Sequence, residues 1–219
     1  MESFNYGGST WAKWDLHIHS DASDGKQTPQ QIIDEAVNKG ISVIALTDHH
    51  TVSNIDEIKK YAASKNIVVI SGIEFRTEYG AKSVHMIGLF PEKYGNITLN
   101  QKGLEELILS PLKLSRTVIV AKGKEEKPEA NNDEAFKIGM FKVQVEFKDA
   151  ADLIHRYGGL VSVHAGNKTN SIEEMKHEGR GISNVKDVVD SLGTLKEELL
   201  TNYILKLRTS ETSPILGVT

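Results

Sequence analysis

The sequence predicts an α/β domain in which parallel strands alternate with helices packed outside them. Over the first 75 residues, β-branched apolar runs alternate with segments of helical period, in the order β-loop-α-β-loop-α-β. Crossover helices of that kind join parallel strands. A second observation concerns the strand ends. Histidines and carboxylates gather where apolar runs give way to turns: in Asp15-Leu16-His17-Ile18-His19-Ser20 with Ser23-Asp24-Gly25 behind it, in Thr47-Asp48-His49-His50, in Gly72-Ile73-Glu74 and in Val163-His164-Ala165. The carboxyl ends of strands are the functional rim of such sheets.

Each element has its own signal. Residues 14–18 read as a short strand. Thr28-Pro29-Gln30-Gln31 then offers an N-cap, a proline at the first helical position and a Gln three residues after the cap. The helix that follows runs to about Lys39 and ends at Gly40. Residues 41–46 form a buried-strand run, and 52–65 place Val52, Ile55, Ile58 and Ala62 on one helical face. Residues 67–70 are the next strand, leading to Glu74. Beyond it the pattern loosens: 81–90 is a strand carrying His85, and 101–109 a short helix. Residues 121–134 have almost no apolar content and predict a solvated loop or insertion. A helix over 147–157, a stop at Gly158-Gly159 and a strand over 160–163 deliver His164. A polar, glycine-containing loop over 167–181, a helix around 185–200 and short strands at 204–208 and 214–218 close the chain. Trp11 and Trp14 are expected to pack at the amino end of the sheet.

At 219 residues and 39% hydrophobic, the chain is expected to form a single domain with a sizeable core. Its formal charge of -4 gives no general attraction to nucleic acid, although a metal-lined cleft binds phosphate against such a background. There is no apolar run of about 18 residues to cross a membrane, and no secretory signal segment. The chain has no Cys, which excludes a disulfide framework and a thiolate zinc site. A cytoplasmic protein is expected.

Imidazole nitrogens and carboxylate oxygens collected at one rim are the donor set for zinc, manganese or iron. A lone strand-end His is usually a structural residue, but His17, His19, His49, His85 and His164 recur at corresponding places. Alternate residues of a strand face one side, so His17 and His19 can enter one cavity while Ile18 packs the other way. His50, His155 and His177 fall outside this set, the last two being expected at the surface. Arg76, two residues past Glu74, either holds a phosphate oxygen or faces solvent; Lys168 and Arg180 are weaker candidates of the same kind.

These segments, taken in order over residues 14–166, resemble the polymerase and histidinol phosphatase (PHP) family. The resemblance implies an irregular (β/α)7 barrel around two or three divalent ions. It assigns His17 and His19 to one metal, Glu74 as a bridging carboxylate, His85 and His164 to a second metal, and Asp24 with His49 to a third. Asp48 is then expected to orient a neighbouring ligand. A buried carboxylate such as Glu74 is compensated between two cations, which fits the bridging role. The implied activity is that of a metal-dependent phosphoesterase acting on nucleotides or nucleic-acid ends through a metal-activated water, with Glu74, Asp48 and Arg76 completing the catalytic machinery. Alternatives are a small-molecule phosphatase and a non-catalytic scaffold.

Family members close the site with a late Asp-x-His segment after a short strand. Here residues 214–219 resemble that strand and stop where the pair would come, which predicts a truncated barrel. The approach Trp11-Ala12-Lys13-Trp14 looks like the start of PHP domains fused to SMC-like or AAA-like ATPases, a bacterial arrangement associated with phage defence. No GxxxxGK[ST] pattern occurs in the chain itself.

Overall fold

The computed structural model describes residues 12–78 and 84–164. Outside the described residues lie Trp11, positions 81–83, the loop 167–181 with Lys168, His177 and Arg180, the helix 185–200, the strands 204–208 and 214–218, and the closing segment at Thr219.

Strands β1 (Lys13–Ile18), β2 (Ile41–Leu46) and β3 (Val68–Arg76) run parallel, side by side, as the crossover pattern predicts. The helices between them are α1 (Pro29–Asn38) and α2 (Ile55–Ala62). At the start of α1 the Thr28 hydroxyl accepts from the Gln31 amide, and the Gln31 side chain accepts from the Thr28 amide at 3.0 Å. This reciprocal pair satisfies two donors that the first turn leaves without partners. The chain leaves α1 through Gly40, whose φ of +65° belongs to the left-handed region. Val52, Ile55, Ile58 and Ala62 are all buried, on the face their spacing predicts.

Strand β4 (His85–Phe90) departs from the parallel pattern. It pairs antiparallel with β3, Arg76 opposite His85, and β7 (Leu160–Val163) pairs antiparallel with β4. The sheet order is β1-β2-β3-β4-β7. Because β4 runs backwards, its amino end lies at the rim where β1, β2 and β3 finish. The sheet also curls: His17 on β1 and His164 after β7 belong to opposite edges, yet their ring centres are 4.9 Å apart. This is an α/β fold on a half-barrel sheet. Between its two edges lies a 430 Å³ cavity lined by residues that include Trp14, Leu16, Leu89 and Ser162. Trp14, expected to pack, is 40% exposed there.

A two-stranded ribbon, β5 (Lys93–Tyr94) with β6 (Ile97–Thr98), follows β4. Helix α3 (Gln101–Leu104) then widens into a π-helical turn over Glu105–Leu109. The expected loop at 121–134 is instead the end of α4 (Arg116–Glu126), a short turn, and the start of α5 (Asn132–Gly139). Their contact is made by glycines, which explains why no apolar stripe announces it. A Cβ on Gly123 would lie 1.8 Å from the Ala135 carbonyl oxygen, and one on Gly139 would lie 1.9 Å from that of Ile119. Helix α6 (Phe147–Arg156) buries Phe147, Ala150, Ala151, Leu153 and Ile154, and packs against β4 and β7. The core joins Ile33, Ile44, Ile58, Phe75, Phe136 and Phe147 in one cluster. Among the described residues no helix is long and apolar enough to cross a membrane.

Candidate metal centre

Glu74 stands at the centre of the rim, 1% exposed, near the end of β3. The loop after β2 is fastened to it by backbone. The Glu74 amide donates to the Asp48 carbonyl at 3.2 Å, and the His50 amide donates to the Glu74 carbonyl at 3.1 Å, so His49 lies beside Glu74 in a parallel bridge. His17 and His19 come from the end of β1. His85 comes from the amino end of antiparallel β4, and His164 follows β7, its amide 3.4 Å from the His85 carbonyl.

The two oxygens of Glu74 face different imidazoles. Oε2 lies 2.9 Å from His17 Nε2, 2.7 Å from His19 Nε2 and 3.6 Å from His49 Nε2. Oε1 lies 2.6 Å from His85 Nδ1 and 3.4 Å from His164 Nε2. Asp24 extends the Oε2 side, with Oδ1 2.7 Å from His19 Nδ1 and Oδ2 3.8 Å from His49 Nε2. All seven side chains expected as ligands therefore meet at one place. Two triads bring candidate ligand atoms within 4.8 Å of one another: His17, Glu74 and His164, and His19, His49 and Glu74. His85 and His164, expected as a pair, both face Oε1. His17 Nε2 and His19 Nε2 approach to 3.0 Å, so the expected pairing of those two is also within reach.

A model of the PHP domain family matches residues 15–156. The chain belongs to the PHP domain family. It is 38% identical over 98 residues to a 5'-3' exoribonuclease of Haemophilus influenzae, covering 43% of this chain and 36% of that protein. Over 78 residues it is 38% identical to a 3',5'-nucleoside bisphosphate phosphatase of Chromobacterium violaceum, covering 36% and 27%. A phosphoribosyl 1,2-cyclic phosphate 1,2-diphosphodiesterase of Eggerthella lenta is 34% identical over 82 residues, covering 36% and 31%. The matched stretches span about a third of these relatives. The fold is similar to that of an amidohydrolase from Chromobacterium violaceum solved with bound sulfate and no metal, with a TM-score of 0.58 and 20% identity, covering 84% of this chain and 74% of that one.

The electrostatics of this PHP domain are organised around the buried Glu74 carboxylate. Burial opposes ionisation of Glu74, but hydrogen bonds from His17, His19 and His85 hold its carboxyl well below the usual range. Burial also opposes charge on His19, yet Asp24 and Glu74 outweigh it and lift the imidazole to about 10. The bond to His19 in turn draws Asp24 down to about 2. Burial lowers His49 to about 4, leaving it neutral, the form in which imidazole binds metal. A buried carboxylate shared by several imidazoles is a donor set that a divalent ion fits.

Asp48 does not join this cluster. Its Oδ1 accepts from the Ser20 amide at 2.8 Å and from the Ser23 hydroxyl, and Oδ2 accepts from the Ser20 hydroxyl at 2.6 Å. This is the arrangement of a residue that orients a neighbouring ligand, as expected of Asp48: the carboxylate pins the turn that carries Asp24. Gly25 is required in that turn, since a Cβ would lie 2.2 Å from the His19 carbonyl oxygen. Ser20, Ser23 and Gly25 are functional supports that the sequence signals only through the compact Ser23-Asp24-Gly25 run. His50 is structural. It is buried at φ 53° and its Nε2 accepts from the Arg76 amide at 3.4 Å; burial pushes its imidazole down to about 3. His155, expected at the surface, is half-buried on α6.

Arg76 lies at the edge of the centre. Burial lowers its pKa while the charges of Glu74 and Asp24 raise it. Its guanidinium carbon is 5.4 Å from the centre of the Phe141 ring. That ring is itself 6.3 Å from the ring of His49. Phe141 is a site neighbour for which the sequence holds no signal, because it follows a hairpin read as loop.

Proposed function

We propose that this PHP domain is a metal-dependent phosphoesterase acting on phosphate esters of nucleotides or nucleic-acid ends. The observation that carries the reading is the division of Glu74: one buried carboxylate offers one oxygen to His17, His19 and His49 and the other to His85 and His164. A carboxylate so placed is suited to bridging two divalent ions, of which zinc, manganese and iron fit imidazole and carboxylate donors. Asp24 and His49 would serve a third. Such ions supply a water of lowered pKa and offset charge on a phosphoryl group. The residues of the chain do the rest. Glu74 and the histidines would hold the ions, and Asp48 keeps Asp24 in place through Ser20 and Ser23. Arg76 donates to a non-bridging phosphate oxygen, a charge-assisted contact that orients phosphorus. The nucleotide class is supported by the names of the exoribonuclease and nucleoside bisphosphate phosphatase relatives. A fused or associated SMC-like or AAA-like ATPase is a further proposal, resting on the approach to β1 alone.

Phosphate release with Mn²⁺ or Zn²⁺ tests the reading on three substrates: a nucleoside bisphosphate, a short oligonucleotide and a base-free sugar phosphate. Cleavage of either nucleotide substrate, lost by at least about 100-fold in His49→Ala, is the expected result. Cleavage of the sugar phosphate alone would favour the small-molecule phosphatase. No cleavage of any ester by metal-loaded protein would leave a scaffold.

A further inference from the structure

We propose that Phe141 is the nucleobase platform of this site: its ring stacks on the base attached to the phosphate held by Arg76, and so selects nucleotides over other phosphate esters. The proposal deepens the phosphoesterase reading and rests on it for the place of the phosphate.

Phe141 is 45% exposed, although it follows the well-buried Met140 at the end of α5. Its exposed ring does not sit on a bland surface. The ring centre is 6.3 Å from that of His49 and 5.4 Å from the Arg76 guanidinium carbon. An aromatic face, a cation and a candidate metal ligand therefore lie within the span of one nucleotide, whose base is one sugar away from its phosphate. Arg76 Nε is buried and has no hydrogen-bond partner among the described residues. An aromatic ring beside the guanidinium leaves its N–H edge available for phosphate, since a cation over a ring uses the flat face.

The hairpin around Phe141 argues for stacking over electrostatic tracking of a strand. A 760 Å³ groove is bounded by Phe141 and by three lysines of the α4–α5 region. Of these, Lys127 pairs with Glu134 at 2.5 Å and Lys142 with Glu126 at 2.6 Å. Cations already paired in this way add little to phosphate-backbone binding. One base on one ring needs no such help and tolerates any of the four bases, because each has a π-face. The shared chemistry is a base next to a phosphate, supplied by a free nucleotide or by the end of a single strand.

The rival explanation is that Phe141 merely covers Arg76 and His49. Steady-state kinetics of the whole chain with Mn²⁺ separates the two, using a nucleoside bisphosphate, a 5'-phosphorylated oligonucleotide and ribose 5-phosphate. In Phe141→Ala and Phe141→Leu, KM for the nucleotide substrates should rise about 5- to 100-fold more than for ribose 5-phosphate, and Phe141→Trp should recover it. A larger effect on the bisphosphate identifies a free nucleotide as the source of the base, and on the oligonucleotide a strand end. Equal losses on all substrates, with Leu as good as Phe, would overturn the proposal. Phe141→Trp also gives a readout without turnover. Its added fluorescence, relative to wild type, should be quenched by a nucleoside bisphosphate and not by ribose 5-phosphate. If no ester is cleaved but the quenching occurs, the platform stands and the phosphoesterase reading falls; cleavage of nucleotides without quenching and without a KM difference sinks the platform alone.

Discussion

At the scale of single residues, the carboxylate of Asp48 holds the rim together without touching the centre. It receives one amide and two hydroxyls, all from Ser20 and Ser23, which are fully buried. Asp48→Ala leaves the Ser20 amide and hydroxyl without that acceptor and the Ser23 hydroxyl with only its 3.4 Å contact to Asp24. Stability should drop by at least about 1–3 kcal/mol, the cost of a buried unsatisfied group. The loss is read as a shift in the midpoint of urea unfolding. The same variant loosens Asp24 while leaving the Glu74 cluster in place, so metal at the Asp24 and His49 position should weaken before metal at Glu74. Unchanged stability would show that the turn is held by something else. Adjacent residues of the Thr-Asp-His-His run reach different places: the bridge to β3 sets His49 beside Glu74, while the Asp48 carboxylate turns back to Ser20 and Ser23.

Helices α4 and α5 set the scale of elements. Their backbones meet where Gly123 faces Ala135 and Gly139 faces Ile119. A methyl group at Gly139 would sit 1.9 Å from a carbonyl oxygen that belongs to backbone, so the hairpin must open rather than a side chain swing aside. Gly139→Ala should therefore destabilise by about 1–3 kcal/mol or more, despite the higher helix propensity of Ala. It should also shift Phe141, two residues on, and raise KM for nucleotides more than for ribose 5-phosphate. A stabilised Gly139→Ala protein would contradict the packing described. This element was the least legible in the sequence. Helices are read from an apolar stripe, and here close approach comes from glycines while polar side chains cover the outside; only Asn131, capping Asp133 and Glu134, marks the start of α5 locally. Helix α1 was fully legible because its start is written in the contiguous run Thr28-Pro29-Gln30-Gln31 and its exit in Gly40.

For the whole molecule, five strands of unlike direction deliver side chains to one point. Most ligand candidates were legible because they sit at or just past strand ends, a local property; Asp24 was marked by its Ser-Asp-Gly turn. The direction of β4 was not: whether the chain after β3 crosses over or folds back depends on tertiary pairing. His85 reaches the rim through that reversal, from the beginning of its strand instead of the end. The curl of the sheet, which brings His17 and His164 together across it, is likewise set by packing. These separate deliveries converge on Glu74, whose two oxygens, on the function proposed, would bridge two divalent ions. Elemental analysis after removal of free ions by gel filtration, comparing wild type with Glu74→Gln, tests this most directly. The amide keeps the shape but removes the charge and offers a donor where a cation should bind. Wild-type protein should retain more than one divalent ion per chain, and Glu74→Gln should retain less than half as much while its unfolding remains cooperative. Equal metal in the two folded proteins would contradict the bridging centre.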